Sequence, residues 1–251
     1  MKIKAAVIRE KAKPFIIEEM DLDEPRENEI LVRIAGCGVC HTDVTLRNNP
    51  LTLPVVLGHE GAGIVEKVGG RITKVKPGDA VILSFVYCGC CSNCRQGLPA
   101  YCTQSVMGTF GGVRADGTTT LSQNGEKIHG NFFGQSSLAT YALTYENNVV
   151  KVRKDAPLEM LGPLGCGVQT GAGAVINSLH VKAGSSLAVF GLGSVVLSAI
   201  MAAKVAGCSN IIGVDVKRNR LELARELGAT HVLDGSAVNP VTEIRMITGE
   251  G

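Results

Sequence analysis

The sequence predicts an α/β fold, in which an irregular β-rich domain is followed by an incomplete, doubly wound parallel sheet. In the first half, short apolar runs are separated by turn residues, a pattern typical of strands. After about residue 180, apolar runs alternate with helical patterns, and this strand–helix order is typical of a parallel sheet. The 251 residues, of which 45% are hydrophobic, are enough for two cores.

The predicted elements follow in chain order. The first part contains strands at 3–9, 29–34, 63–68 and 80–83, with a turn at Pro77-Gly78-Asp79. A helical segment at 158–179 is broken by Gly162-Pro163 and Gly165, which indicates a junction. The second part reads as strand 187–190, helix 195–205, strand 211–214, helix 218–227 and strand 231–233. We therefore predict two domains, 1–180 and 181–251.

Composition excludes several classes of function. A net charge of +2 lacks the basic surplus that nucleic-acid binding requires. The uncharged stretch 183–203 is long enough to span a bilayer, but its glycines and serines favour a strand and a buried helix, so no membrane partner is predicted. The N-terminal apolar run is too short for a signal peptide, so we expect a cytoplasmic protein whose 9 cysteines serve as metal ligands or catalysts.

Four cysteines form one compact motif. Cys88, Cys91, Cys94 and Cys102 have the spacing C-x2-C-x2-C-x7-C, which suits a tetrahedral zinc ion with every position filled by protein, a structural site. An iron–sulfur cluster is a weaker alternative, because that pattern has a shorter last gap followed by proline. A loop without metal is the remaining alternative. Cys90 lies outside the spacing.

Three further candidates for metal ligands are scattered along the chain. Cys40, His59 and Cys166 each stand among glycines. A catalytic zinc takes three protein ligands and keeps one position open, so these residues would form such a site if they converged. The alternative is that the cysteines are small buried apolar residues and His59 is a core histidine.

A dinucleotide-binding signature opens the second part. Gly191-Leu192-Gly193-Ser194-Val195-Val196 follows a predicted strand and begins a helix, and Asp215 ends the next strand. Such glycines admit a pyrophosphate at the helix N-terminus, and the acidic residue binds ribose hydroxyls, which favours NAD over NADP. Val196 replaces the third glycine and would crowd the helix against the strand. The alternative is an ordinary strand-to-helix turn capped by Asp215.

Together these motifs resemble the zinc-dependent medium-chain alcohol dehydrogenases, over essentially the whole chain. The stretches that carry the resemblance are 38–43, 58–66, the four-cysteine loop, 165–171 and the dinucleotide turn. Within that family, 132–137 and 161–166 are most similar to bacterial aryl-alcohol (benzyl-alcohol) dehydrogenases and their allylic relatives. The resemblance implies a GroES-like catalytic domain at 1–180 and the N-terminal half of a Rossmann NAD-binding domain at 181–251.

The resemblance also implies roles for individual residues. The catalytic zinc would be held by Cys40, His59 and Cys166, and a structural zinc by Cys88, Cys91, Cys94 and Cys102. Around the catalytic zinc, Asp43 would orient His59, Glu60 would lie behind the metal, Thr42 would contact the substrate oxygen, and His41 would approach the pyrophosphate. The NAD site would comprise Thr170, Gly191, Gly193, Ser194, Val195, Asp215 and Arg220.

The implied reaction is hydride transfer from a primary aryl or allylic alcohol to NAD, giving the aldehyde, with two zinc ions per chain. Thr45 stands where some relatives have a relay histidine, so the proton would leave through the cofactor ribose and His41 or water. His129, His180 and His231 match no family ligand, and Cys37 and Cys208 have no assigned role.

Several alternatives remain open. One is an S-(hydroxymethyl)glutathione-type dehydrogenase, and another is a metal-free enzyme of the same fold, such as a quinone reductase. Because the sequence ends at Gly251 within the third βα unit of a six-stranded sheet, we also expect a fragment of a longer protein or an inactive relative that only binds zinc and nucleotide. The full-length family members imply a dimer or tetramer.

Overall fold

The computed structural model describes residues 1–249. The chain divides into two compact units, Met1–Cys166 and Gly167–Gly251. The first unit is β-rich and the second contains a parallel sheet with helices, so the predicted α/β class is confirmed. The domain boundary at residue 180 stays a prediction.

The first unit contains ten strands and four α-helices among its described residues. The strands are β1 (Lys2–Ile8), β2 (Ile16–Leu22), β3 (Glu29–Gly38), β4 (Val55–Val56), β5 (Glu60–Val68), β6 (Ala80–Leu83), β7 (Leu121–Gln123), β8 (Glu126–Ile128), β9 (Tyr141–Tyr145) and β10 (Val149–Lys151). The helices are α1 (His41–Asn48), α2 (Ser92–Arg95), α3 (Ser105–Phe110) and α4 (Leu158–Leu161). Short 3₁₀ turns include Phe132–Gly134 and Gly162–Gly165.

The strands form two antiparallel sheets. Their orders are β4-β1-β2-β7-β8 and β10-β6-β5-β3-β9. Because side chains alternate between the two faces of a strand, Ile3, Ala5 and Val7 of β1 share one buried face while Lys2 and Lys4 are exposed. In the second sheet, β3 and β5 pair with two register shifts along Leu31–Gly36, and this pairing brings Gly38 opposite Glu60.

Three glycines allow the segment after β10 to lie directly on the second sheet. A Cβ atom added to Gly36 would stand 2.3 Å from the Glu159 carbonyl oxygen. At Gly162 and Gly165, it would stand 1.9 Å from the carbonyl oxygens of Glu60 and Leu83, respectively. No side chain fits at these contacts, so α4 and the turn Gly162–Gly165 approach the strand backbones closely. The turn ends immediately before Cys166.

The second unit is an alternating strand–helix arrangement. It consists of α5 (Gly167–Gly173), a π-helical turn at Ala174–Ser178, β11 (Ser186–Phe190), α6 (Ser194–Val205), β12 (Asn210–Asp215), α7 (Arg218–Leu227), β13 (His231–Asp234) and α8 (Pro240–Thr248). The three strands are parallel in the order β11-β12-β13. Val196 packs half-buried against the core of this unit, so α6 forms in spite of the missing third glycine.

Within residues 1–249, no helix has both the length and the apolar character needed to cross a bilayer. The uncharged stretch 183–203 contains β11 and most of α6, as predicted.

Candidate metal centres and dinucleotide turn

The four-cysteine loop brings its thiols together. The Sγ atoms of Cys88, Cys91, Cys94 and Cys102 lie within 4.8 Å of one another. Cys91 caps the N-terminus of the short helix α2, which places Cys94 one turn later. Backbone N–H groups point at the sulfurs, since Cys91 N donates to Cys88 Sγ at 3.3 Å and Cys88 N donates to Cys102 Sγ at 3.3 Å. Cys90 is exposed and outside this cluster.

The sulfur spacing of this loop fits a tetrahedral zinc ion. Zn–S bonds of about 2.3 Å imply sulfurs about 3.8 Å apart at the corners of a tetrahedron. The Cys91 and Cys94 sulfurs are 3.5 Å apart, and the Cys88 and Cys94 sulfurs are 3.9 Å apart. A disulfide would require about 2.0 Å. Backbone hydrogen bonds from Cys94 and Thr103 lower the pKa of Cys91 to about 5, so this loop favours a thiolate even before a cation binds.

A second cluster joins residues that are far apart in sequence. Cys40, His59, Glu60 and Cys166 offer ligand atoms that lie within 4.8 Å of one another. Cys40 caps the N-terminus of α1, His59 directly precedes β5, and Cys166 follows the glycine turn on that sheet. The structure therefore brings together the three candidate ligands that the sequence only scattered.

Asp43 holds two of these candidate ligands, Cys40 and His59, in place through hydrogen bonds. Its side chain is fully buried and accepts three hydrogen bonds. Oδ2 accepts from the Cys40 backbone N–H at 2.9 Å, while Oδ1 accepts from the Gly58 N–H at 3.0 Å and faces His59 Nδ1 at 3.2 Å. An ionised carboxylate only accepts hydrogen bonds, so Nδ1 carries the hydrogen and the lone pair of the imidazole is on Nε2.

The other imidazole nitrogen, Nε2, is suited to bind a metal ion. His59 is 1% exposed, and its Nε2 is a buried atom with no hydrogen-bond partner. A buried unpaired acceptor costs free energy, and a metal ion would compensate for it. The donor set of two sulfurs and one imidazole is one that zinc prefers. These residues fit zinc.

The pKa shifts of the two cysteines in the cluster also favour binding of a cation. Burial tends to raise the pKa of Cys40, but hydrogen bonds from the Thr42 backbone and hydroxyl outweigh it and hold that pKa below its ordinary value. Burial, together with negative charge on Cys40 and Glu60, raises the pKa of Cys166 far above its usual range. A bound cation would offset the burial and the repulsion that raise the pKa of Cys166.

Aromatic rings surround the imidazole. His59 stacks on Phe133 with ring centroids 4.3 Å apart and meets the edge of Phe132 at 5.5 Å. Phe85 and Phe110 each lie 5.6 Å from Phe133. Beside them, Phe110 and Phe132 line an apolar recess. Its other lining residues are Leu46, Pro50, Leu51, Thr52, Val55, Leu57 and Gly112.

The residues predicted to handle the substrate proton lie at the start of α1. The Thr42 Oγ1 is 3.6 Å from Cys40 Sγ, so its hydroxyl lies next to the metal cluster. His41 is exposed, as is Thr45. The structure therefore places Thr42 at the cluster and leaves His41 at the surface.

The predicted dinucleotide residues lie in the second unit. Gly191 has φ +78°, and neither Gly191 nor Gly193 would bring an added Cβ within 4 Å of another atom. Gly193 is the N-cap residue of α6, whose first residues are Ser194 and Val195. On α5, Thr170 is exposed and directly precedes Gly171, where a Cβ would stand 1.8 Å from the Val195 carbonyl oxygen.

Asp215 joins the turn to the next helix. Its Oδ2 accepts from the Leu192 N–H at 2.7 Å, and its Oδ1 accepts from the N–H groups of Val216 and Lys217 at 2.7 and 2.9 Å. Arg220 approaches the same carboxylate at 3.4 Å. Asp215 thus has the local turn-stabilising contacts of the simpler alternative, and its contact with ribose stays a prediction.

Three residues near the cluster of Cys40, His59, Glu60 and Cys166 escaped prediction as individual site residues. Phe133 contacts the His59 ring, Gln135 donates to the His59 carbonyl oxygen at 3.0 Å, and the Ser137 hydroxyl is 3.3 Å from Cys37 Sγ. The only signal in the sequence was the stretch 132–137, which contributed to the resemblance without giving any role. Buried glutamine and phenylalanine carry no motif of their own.

Comparisons with known proteins identify the family of this chain. The family description "Alcohol dehydrogenase GroES-like domain" matches residues 26–154, and "Zinc-binding dehydrogenase" matches residues 194–251. Geraniol dehydrogenase of Castellaniella defragrans is 49% identical over 250 residues, which cover 98% of this chain and 67% of that protein.

Two solved structures are similar throughout the chain. An alcohol dehydrogenase zinc-binding domain protein from Burkholderia ambifaria has a TM-score of 0.98 and 53% identity, with 100% of this chain and 69% of that one covered. Benzyl alcohol dehydrogenase from Acinetobacter calcoaceticus has a TM-score of 0.94 and 48% identity, with 99% and 68% covered. The chain spans about two thirds of the length of these relatives. The family predicted from the motifs is confirmed, and the chain belongs to the zinc-dependent medium-chain alcohol dehydrogenases.

Proposed function

We propose that this chain carries the catalytic metal site and the first part of the cofactor site of an NAD-dependent alcohol dehydrogenase. The reaction is hydride transfer from a primary aryl or allylic alcohol to NAD, and the product is the aldehyde. The observation that carries the proposal is the convergence of Cys40, His59 and Cys166 around a buried, unpartnered imidazole nitrogen.

In the proposed site, Cys40, His59 and Cys166 hold the catalytic zinc, with the Glu60 carboxylate beside them. A zinc ion held there would supply Lewis-acid chemistry, which an alcohol substrate needs because alcohols ionise too weakly at neutral pH. The Thr42 hydroxyl accepts the alcohol proton and passes it toward His41 or water. Asp43 keeps the His59 lone pair on Nε2.

The four-cysteine loop has a structural role in this proposal. Cys88, Cys91, Cys94 and Cys102 offer a complete tetrahedral set and leave no position for substrate. A zinc ion there stabilises a segment that has few buried apolar residues of its own, since Cys102 is the one buried residue between Gly89 and Gln104. Two zinc ions per chain follow.

The cofactor proposal rests on the second unit. The N-terminus of α6 directs backbone N–H groups toward a pyrophosphate, and Gly191 and Gly193 leave it room. Backbone hydrogen bonds hold the pKa of Asp215 below its usual range although burial acts to raise it, so this carboxylate is anionic. A negative charge there binds ribose hydroxyls and repels a 2′-phosphate, which favours NAD over NADP. Arg220 supports the carboxylate, and Thr170 packs beside the nicotinamide in this proposal.

The substrate class is supported by the rings around His59. Phe85, Phe110, Phe132 and Phe133 give the metal centre an aromatic environment, although the whole chain contains only 6 phenylalanines. Planar aryl or allylic alcohols match such a lining, because aromatic surfaces gain from stacked or edge-on contact. The relatives named for geraniol and benzyl alcohol support the same class.

The proposal is tested by zinc content together with turnover. We expect two zinc ions per chain and oxidation of benzyl and allylic alcohols ahead of aliphatic ones, with kcat/KM for NAD well above that for NADP. Cys40→Ser and His59→Ala should abolish turnover while leaving NADH binding measurable. A protein without zinc that still reduces quinones would support the metal-free alternative. A protein with two zinc ions and no turnover would support the inactive binding module.

A further inference from the structure

Gln135 is a deeply buried polar side chain next to His59 that has no role in the mechanism. It is 1% exposed. Its Nε2 donates to the His59 carbonyl oxygen at 3.0 Å and to the Ser84 carbonyl oxygen at 3.2 Å, and its Oε1 accepts from the Gly61 N–H at 3.3 Å. Both hydrogens of the amide and its oxygen are therefore in use.

The two carbonyl groups belong to different segments of the chain. One is the backbone of the ligand His59 itself. The other belongs to Ser84, which follows β6 and whose hydroxyl donates to the Gly165 carbonyl oxygen at 3.3 Å. Gly165 directly precedes Cys166, so a short chain of hydrogen bonds runs from one ligand through Gln135 to the other.

The segment that carries Gln135 is held in an uncommon conformation. Phe133 has φ +53° and Ser136 has φ +50°, values that side-chain-bearing residues rarely adopt. The Ser136 hydroxyl donates to the Val56 carbonyl oxygen at 2.7 Å, and Asn148 Nδ2 donates to the Phe133 carbonyl oxygen at 2.8 Å. Such strain persists where surrounding contacts enforce it, and it is typical of functional sites.

We propose that Gln135 is a positioning residue of the catalytic metal centre, which sets the separation between the His59 and Cys166 ligands. The inference rests on the proposed function, because it assumes that these ligands hold zinc. If the amide is removed, no side chain of residue 135 links the backbone of His59 to that of Ser84 at the end of β6. The distance between the His59 and Cys166 ligands is then less well fixed. Mutation of residues that orient metal ligands in this way typically lowers metal affinity or activity by about 10–100-fold.

The test compares Gln135→Glu and Gln135→Met with a matched control, Asn131→Asp. Asn131 is a buried amide in the same loop that donates to the Val113 carbonyl oxygen at 3.0 Å and contacts none of the candidate metal ligands through a described hydrogen bond. The measurements are the rate of zinc loss to a chelator, the absorption spectrum after cobalt(II) replaces the catalytic zinc, and the kcat and KM for alcohol.

We expect both Gln135 variants to release the catalytic zinc at least tenfold faster than the parent and to shift the cobalt bands. The structural zinc and the Asn131→Asp control should behave as in the parent. Release rates and cobalt spectra equal to those of the parent would overturn the inference, even if kcat fell. Loss of the cooperative unfolding transition in both Gln135 variants would also overturn it, since Gln135 would then support the whole fold.

Failure of the proposed function has a different signature. If the parent itself binds no zinc at Cys40, His59 and Cys166, the metal assignment fails regardless of Gln135. If the parent binds two zinc ions and the Gln135 variants match it, only the positioning role fails.

Discussion

Replacement of Asp43 by asparagine is the most direct perturbation of the ligand geometry, because it keeps the shape of the side chain and removes one acceptor. The carboxylate receives two donors on Oδ1, from Gly58 and His59, and one on Oδ2, from Cys40. An asparagine has a single carbonyl oxygen. We expect it to take the Oδ1 position, where it keeps two hydrogen bonds and turns its NH₂ group toward the Cys40 N–H.

The magnitude follows from that count. One partly buried N–H at Cys40 loses its acceptor and meets a second donor, which costs about 1 kcal/mol in the free energy of unfolding. His59 keeps its tautomer but loses the ionic partner, so zinc affinity should fall about 10–100-fold, which corresponds to about 1.4–2.7 kcal/mol. Asp43→Ala removes all three hydrogen bonds and should cost more on both counts.

Two assays separate the effects. Competition with a chromophoric chelator gives the zinc affinity, and urea unfolding of the metal-free and zinc-loaded forms gives the stability. Asp79→Asn is the matched control, because Asp79 is also buried and accepts from the Lys76 N–H and from Lys151 but is not among the metal-cluster residues. A zinc affinity of Asp43→Asn within twofold of the parent, or an equal loss in Asp79→Asn, would refute the reasoning.

Three further predictions concern other parts of the chain. Cys91→Ser should remove one zinc per chain by metal analysis, whereas Cys90→Ser should keep the parental content because Cys90 is outside the cluster; equal losses would contradict the structural site. Arg114→Met should lower the free energy of unfolding in urea by about 3–5 kcal/mol, because the Glu29 carboxylate, which is 1% exposed, loses its only described ion-pair partner; a loss below about 1 kcal/mol would contradict this. The depressed pKa of Asp215 contributes stability above about pH 4 that is lost as the pH falls through the folded-state pKa. The difference in Tm between the parent and Asp215→Asn should therefore shrink below about pH 4, and a pH-independent difference would contradict it.

The strand–helix order from β11 to β13 in the second unit was readable from sequence because each of these elements has a local signal. The predicted helix 218–227 coincides with α7, whose C-cap residue is glycine. In the first unit, the predicted strand 80–83 coincides with β6. Both elements have a typical boundary residue close by: Gly228 directly follows α7, and the turn Pro77-Gly78-Asp79 directly precedes β6. The other predicted strands and helices lie within one to four residues of the observed bounds.

Helix α8 was not predicted although Asn239, Pro240 and Gly249 are typical helix-end residues, whereas several unpredicted strands lack such signals. In β2 only Met20 and Leu22 are fully buried, and charged residues occupy much of the strand, so its pattern resembles a loop. Strands β7 and β8 have three residues each, too few for a periodicity to appear. These strands exist because neighbouring strands pair with them, which is information that no single segment contains.

The two metal centres differ in the same way. The four-cysteine loop is a local structure, so the spacing of its cysteines alone predicted which residues would bind a metal ion. The catalytic set depends on contacts between distant backbones, and the residues that permit them are glycines: Gly162 lies against the Glu60 carbonyl group, and Gly165 lies against that of Leu83. From residue patterns alone, Cys40, His59 and Cys166 were three weak candidates, and the family resemblance was needed to connect them.

This contrast gives the glycine content of the chain a physical meaning. A chain with 31 glycines in 251 residues gives up side-chain contacts and adds conformational entropy to the unfolded state. Gly36, Gly162 and Gly165 allow a close contact between backbones. Any Cβ atom at these positions would push α4 and the turn before Cys166 away from the strands of the second sheet. Asp43, which accepts hydrogen bonds from Cys40 and Gly58, and Gln135, which donates to His59 and Ser84, then fix the neighbouring backbone. The ligand geometry is thus set first by backbone contact and then refined by buried polar side chains.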